Sequence, residues 1–255
     1  MIPLIVVEAL AIGLAIGAVL GLIGAGGAVV AVPAFLYVFG FSALQATTAS
    51  LAVVAASATA GAIPRIRLGQ VAMRQALVFW ALGIVGTLAG TRLAPVIPEV
   101  AILIGFAVVM IGAAVAMWRK SVRTESDVAV QRAVWLLPLV AIGVGLLTGI
   151  FGVGGGFLIV PALVLVFGLP FALATGTSLI VVALNSFTAL LFKFDTWQDI
   201  PWTVPLLVVV GGLVGSVVAS TMNVGIPQRI LERAFAALLV VLAAWMVVEA
   251  VFLGG

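Results

Sequence analysis

Eight apolar runs of about twenty residues follow one another along the 255-residue chain, at 4–22, 43–63, 73–92, 98–118, 134–151, 171–192, 203–221 and 230–252. At about 1.5 Å per helical residue, each is long enough to cross a hydrocarbon core about 30 Å thick. The runs are apolar on both parities, whereas barrel strands alternate lipid-facing apolar with lumen-facing polar residues. The expected fold is therefore an all-α integral membrane protein. Charge agrees, because only 7% of residues are Asp, Glu, Lys or Arg, against about a quarter in soluble domains. The opening MIPLIVVEALAIGLAIG lacks the basic region of a cleaved leader and reads as the first permanent helix. The expected location is the cell inner (plasma) membrane, with multiple passes and the lipid bilayer as first partner.

With no histidine and no cysteine, disulfides, thiolate chemistry, imidazole metal sites and histidine proton relays are excluded. No metal or cofactor is expected. Eleven basic and eight acidic groups, gathered in loops, are too few to suggest nucleic acid. Glu8, Glu99, Glu232 and Glu249 fall in end turns or loops, so no carboxylate relay is visible at mid-helix. Coupling to H+ or Na+ would have to use loop-edge acids, backbone-bound Na+ or a proton carried by the substrate. A homodimer is compatible with this composition.

A shift of 128 residues aligns Gly17, Gly21, Gly24, Gly26, Gly27, Pro33, Phe39, Gly40, Thr47 and Ser50 with Gly145, Gly149, Gly152, Gly154, Gly155, Pro161, Phe167, Gly168, Thr175 and Ser178. Six glycines and a proline in register mark a duplication. The expected organisation is a first transmembrane repeat at 1–118, a cytoplasmic inter-repeat loop at 119–132 and a second repeat at 133–255. Each repeat has five segments, giving about eight to ten transmembrane helices with Gly-rich breaks. Duplicated halves are the usual plan of secondary transporters, which bind substrate between them.

The second segment of each repeat, 28–39 in the first, is too short to cross alone as a helix. If it crosses with help from the glycine stretch, the halves are inverted; if it only dips in, they are parallel. Placing the 119–132 loop inside, the inverted reading puts nine basic residues inside and only Arg92 and Lys193 outside. The parallel reading moves Lys193 inside but sends Arg229 and Arg233 out. The positive-inside rule thus favours inversion with both termini outside.

The glycine clusters GLIGAGG (21–27) and GIFGVGGG (149–156) are the second constraint. Irregular backbone at membrane depth persists only where it is buried in protein or faces a watery cavity. A short helix starting near Ala28, and another near Gly156, would aim free N–H groups inward, which suits an anion. Gly26, Gly27, Ala28, Gly154, Gly155 and Gly156 are the candidate lining residues. Gly13, Gly17, Gly21, Gly145 and Gly149, like Gly86 with Gly90 and Gly211 with Gly215, have the spacing of helix-packing glycines.

The next segments open with ATTAS (46–50) and ATGTS (174–178). Thr47, Thr48, Ser50, Thr175, Thr177 and Ser178 can present hydroxyls to an oxyanion, or can bond back to their own helix carbonyls. Further along, the offset pairs Ser57 with Asn185, a mid-helix amide suited to substrate or to a neighbouring helix. It also pairs Arg65 with Lys193, cations that could steer an anion at opposite mouths or extend toward headgroups.

The stretches GAGGAVVAVPAFLYVFGFSALQATTASL (24–51) and GVGGGFLIVPALVLVFGLPFALATGTSL (152–179) resemble the sulfite exporter TauE/SafE family, also called the 4-toluene sulfonate uptake permeases. Size, the two-copy layout and the basic middle loop extend the likeness over essentially the whole chain. The first copy departs from the fuller glycine cluster, with Ala28 where the second has Gly156. The resemblance implies a secondary transporter of small sulfur-containing anions such as sulfite, sulfoacetate and other sulfonates, by alternating access around a midplane site between the repeats. Two other readings compete. An intramembrane enzyme on a lipid-linked substrate would need a catalytic apparatus that the apolar runs lack, and a structural subunit would not need duplicated polar helix starts.

Overall fold

The computed structural model describes residues 2–24, 27–93, 96–122, 137–151, 156–222 and 227–252. Among these, the long regular elements are α-helices: α1 (Ile2–Ile23), α2 (Gly27–Pro33), α3 (Ala43–Arg67), α4 (Met73–Leu93), α5 (Glu99–Val122), α6 (Leu137–Phe151), α7 (Gly156–Pro161), α8 (Phe171–Phe192), α9 (Thr203–Met222) and α10 (Gln228–Phe252). Backbone satisfied within one segment is what a bilayer demands. Five of the described helices have the length and hydropathy to cross: Leu4–Ile23, Leu44–Arg67, Met73–Leu93, Phe171–Phe192 and Thr203–Met222. Large apolar side chains such as Leu14, Val85, Val108, Phe192 and Leu206 remain exposed, a surface suited to acyl chains.

The short second segments have the same unusual local structure in both copies. After Pro33 the helix widens to a π-helical turn at Ala34–Val38, and after Pro161 it does so at Ala162–Val166. A proline cannot supply the N–H that continues an i→i−4 ladder, and the slip to wider hydrogen bonds follows it directly. Each turn ends near a glycine in left-handed conformation, Gly40 at φ 67° and Gly168 at φ 61°, where a side chain would be strained.

The start of α3 is fixed by a capping box: Gln45 N donates to Ser42 Oγ at 3.3 Å and Ser42 N donates to Gln45 Oε1 at 3.1 Å. Its end is set by Gly69, at φ 67°.

The chain separates into two compact units, one of Met1–Trp80 with Ala172–Gly225, the other of Ala81–Phe171 with Ile226–Gly255. Each unit therefore combines helices from both sequence repeats. In the first unit, a methyl added at Gly13 would overlap the Val208 carbonyl, at Gly17 the Gly212 carbonyl, and at Gly21 the Ser216 carbonyl. Partner numbers rise with glycine numbers, so α1 and α9 run parallel with backbones in contact. Gly211 and Gly215 close on Leu10 and Leu14 in return. The four-residue spacing is thus helix packing, as read from the sequence. Gly212 meets Ser57 and Gly61 meets Ser216, which makes α3 parallel to α9 as well.

The order is reversed between α3 and α8. Lys193, just past α8, donates to Thr47 at the start of α3. Gly176, near the start of α8, lies against the stem of Arg65 at the end of α3. These two helices run antiparallel.

In the second unit Gly86 and Gly90 pack on Ile142 and Leu146, and Gly145 and Gly149 on Gly83 and Thr87, so this part of α4 is parallel to α6. Helices α5 and α10 pack along each other, with the Arg233 guanidinium 5.7 Å from the ring centre of Trp118. The last turns of α5 thus meet the first turns of α10, an antiparallel arrangement.

Candidate functional site

Two clusters of bonded polar groups in the first unit lie at the two ends of the antiparallel α3/α8 pair. At the α3 start, Lys193 Nζ donates to Thr47 Oγ1 at 3.1 Å, Thr48 Oγ1 and Thr196 Oγ1 share a hydrogen bond at 3.3 Å, and Gln45 Nε2 donates to the Asp199 carbonyl at 2.7 Å. Thr196 and Asp199 belong to a 3₁₀ turn, Phe194–Asp199, that folds over the end of α8. Trp197 Nε1 secures that turn by donating to the Leu190 carbonyl at 3.1 Å. Burial pushes the Lys193 ammonium below the ordinary lysine range, because leaving water disfavours the charged form.

At the other end, Arg65 Nη1 donates to Gln70 Oε1 at 2.8 Å and Nη2 to the Gly21 carbonyl at 3.0 Å. Ser220 Oγ donates to the same carbonyl at 3.3 Å. On α8, Ser178 Oγ donates to the Gly24 carbonyl at 2.6 Å and to the Thr175 carbonyl at 2.9 Å. Thr177 Oγ1 accepts from Ala72 N at 2.9 Å, which ties the loop after α3 to α8.

All six candidate hydroxyls bond a carbonyl three or four residues back: Thr47 and Thr48 to Leu44, Ser50 to Thr47, Thr175 to Ala172, Thr177 to Leu173, and Ser178 to Thr175. Four of them also join elements, Thr47 and Thr48 at one end, Thr177 and Ser178 at the other. The two helix starts do not meet in one cluster. From Thr47 to Arg65 along α3 is about 27 Å.

Of the glycine clusters, Gly26, Gly154 and Gly155 lie outside the described residues. Gly27 opens α2 and is buried, with the Leu20 side chain filling the space its Cβ would take. Ala28 follows within α2, and Gly156 opens α7 and is buried. Gly24 has φ 73° and packs directly on Thr175, so at this position the break serves close approach to α8. Asn185 sits half-buried in the middle of α8. Arg65 is not at an open mouth but 1% exposed.

Gln70, Thr196 and the Ser42–Gln45 box were not singled out from the sequence. The box had a signal, the S-x-x-Q spacing; the other two depend on tertiary neighbours. So does Ser216, whose buried hydroxyl, like that of Ser57, has no hydrogen-bond partner among the described residues.

Crossing-length helices, glycine-mediated backbone contacts and an apolar exterior define a multi-pass protein of the cell membrane. The chain belongs to the sulfite exporter TauE/SafE family, whose model matches residues 9–246, and it is a membrane transporter rather than an enzyme. It is 30% identical over 238 residues to a "Probable membrane transporter protein" of Xylella fastidiosa (strain 9a5c), covering 91% of each chain. It is 24% identical over 265 residues to "Probable membrane transporter protein YunE" of Bacillus subtilis (strain 168), covering 94% of this chain and 97% of that one. A match to "Probable membrane transporter protein MJ0441" of Methanocaldococcus jannaschii is 35% identical over 117 residues, 44% of this chain and 43% of the relative. No solved structure matches.

Proposed function

We propose that the protein is a secondary transporter of small sulfur-containing anions, sulfite and sulfonates such as sulfoacetate, working by alternating access between inverted repeats. The observation that carries this reading is the crossed arrangement of α3 and α8. These helices are equivalent under the repeat, lie antiparallel, and each ends in a cation set against the hydroxyl-rich start of the other. One anion-attracting cluster therefore faces each end of the first unit, and the cations with their hydroxyls are suited to an oxyanion.

Inversion has further support. A parallel duplication would make α3 parallel to α8 and α5 parallel to α10, and both pairs run the other way. In a dipping scheme α1 and α3 would also oppose each other, yet Arg65 near the end of α3 binds Gly21 near the end of α1. The chain between them must then return about 33 Å, the distance from Ala43 to Arg65 along α3. Twelve helical residues supply about 18 Å, and the residues between them and the ends of α1 and α3, whose reach is at most about 3.3 Å each, can span the rest. On this account the second segments cross, the 119–132 loop and the Arg65 end are cytoplasmic, and Thr47 with Lys193 lies outside. Gly26, Gly27, Gly154, Gly155, Gly156 and Asn185 remain proposed lining groups.

The test is flux of labelled sulfite, sulfoacetate, methanesulfonate, sulfate, chloride and formate into proteoliposomes carrying the purified protein. Saturable flux of sulfite or a sulfonate, above that of formate and chloride, is expected. Equal flux with empty liposomes for all six would refute the reading.

A further inference from the structure

Arg65 is among the largest fully buried side chains of the described structure, and among the described residues no bonded partner matches its charge. Its two bonds go to neutral oxygens, Gln70 Oε1 and the Gly21 carbonyl, and its Nε has no partner among the described residues. No carboxylate bonds it among those residues. The carbonyl end of α1 offers about half a negative charge at most, and Ser220 already shares the Gly21 oxygen. A net positive charge thus stays buried, at a cost that is ordinarily met by pairing.

The neighbouring orphans are of the same kind. Ser57 Oγ and Ser216 Oγ are also buried without partners among the described residues. Ser216 lies against Gly61, one turn of α3 before Arg65. Each of these unpaired groups can donate a hydrogen bond, and no acid stands among them.

We propose that Arg65 is the counter-charge of the transported anion, with an SO₃-type oxyanion seated against its free Nε–H edge on the cytoplasmic side of the first unit. A guanidinium offers two parallel N–H groups along one edge, which fits two oxygens of one sulfur and which a lysine ammonium cannot reproduce. The inference rests on the transporter reading and replaces steering at a mouth with binding in the interior.

The test is thermal unfolding of the full-length protein in detergent, titrated with sulfite or methanesulfonate against gluconate at constant ionic strength. Wild type should gain roughly 5–10 °C near hundredfold saturation. Arg65→Met should show no anion-dependent gain, and its anion-free midpoint should equal or exceed that of wild type because an unpaired buried charge is gone. Arg65→Lys, which keeps the charge, should bind at least tenfold more weakly. A lowered anion-free midpoint in Arg65→Met with an undiminished anion shift would make Arg65 a clamp on the end of α1 and overturn the inference. Full affinity in Arg65→Lys would overturn the fork. If these variants bind normally while wild type is stabilised and transports, only this inference falls; if wild type neither binds nor transports any anion, the transporter reading falls with it.

Discussion

The contact between α3 and α9 can be tested by a pair of substitutions whose separate and joint effects differ in sign. A methyl added at Gly61 would overlap Ser216 Oγ and come within 3.0 Å of Ser220 Oγ, but it would sit at an ordinary 3.5 Å from Ser216 Cβ. Overpacking of this kind costs about 1–3 kcal/mol, offset by about 1 kcal/mol of helix propensity gained over glycine. Gly61→Ala should therefore destabilise by about 0–2 kcal/mol. Ser216 Oγ is buried without a partner among the described residues, and an unbonded buried hydroxyl costs about 1–3 kcal/mol, so Ser216→Ala should be neutral or stabilising. In the double variant the methyl occupies the vacated space and the propensity gain survives. It should be at least as stable as wild type, with a favourable coupling of about 1–3 kcal/mol. Thermal unfolding in detergent resolves this, at roughly 2–4 °C per kcal/mol for a chain of this size. Additivity within about 0.5 kcal/mol, or a loss above about 1 kcal/mol from Ser216→Ala alone, would refute the packing described.

Single cysteines at Phe194 and Ile230, both exposed, should react with impermeant reagents from the outer and cytoplasmic sides respectively; the reverse pattern would mean that the second segments only dip in. Because Thr175 precedes Gly176, which packs on Arg65, about 27 Å along α3 from Thr47, Thr47→Val and Thr175→Val should affect anion affinity additively, within about 0.5 kcal/mol. Strong coupling between them in a binding titration would restore a single shared site. Burial lowers the pKa of Lys193, so its charge is present below that lowered value and is lost at lower pH than for an ordinary lysine. Affinity for methanesulfonate, whose own charge is fixed, should fall as pH rises through that range in outward-facing transport assays, and Lys193→Arg should flatten the profile.

The elements that could be read from the sequence are those set by local pattern. Uniformly apolar runs mark the long helices to within a few residues, and the spacing of Gly13, Gly17 and Gly21 marks a backbone contact without naming its partner, α9. Chemistry that depends on distant neighbours was not legible. Arg65 looks like a flanking cation near the end of a run, and its contacts with Gly21, 44 positions earlier, and with Gly176 on α8 come only from the tertiary fold. Thr47 and Thr175 look equivalent and convergent, yet the antiparallel crossing of α3 and α8 sends them to opposite ends. Gly24 belongs to a glycine cluster that exceeds what helix packing needs, and its left-handed φ and its contact with Thr175 show that a sharp break can itself be close-packed.

Alternating access between two ends is the core of the account, and counterflow measures it most directly. Proteoliposomes preloaded with unlabelled sulfite, and matched empty ones, are placed in trace labelled sulfite at the same external pH. A carrier whose loaded form reorients should take up label faster, and transiently above equilibrium, when sulfite is present inside. Identical uptake in preloaded and empty vesicles, or linear uptake that never saturates, would contradict a carrier and point to an open pore or to no sulfite pathway at all.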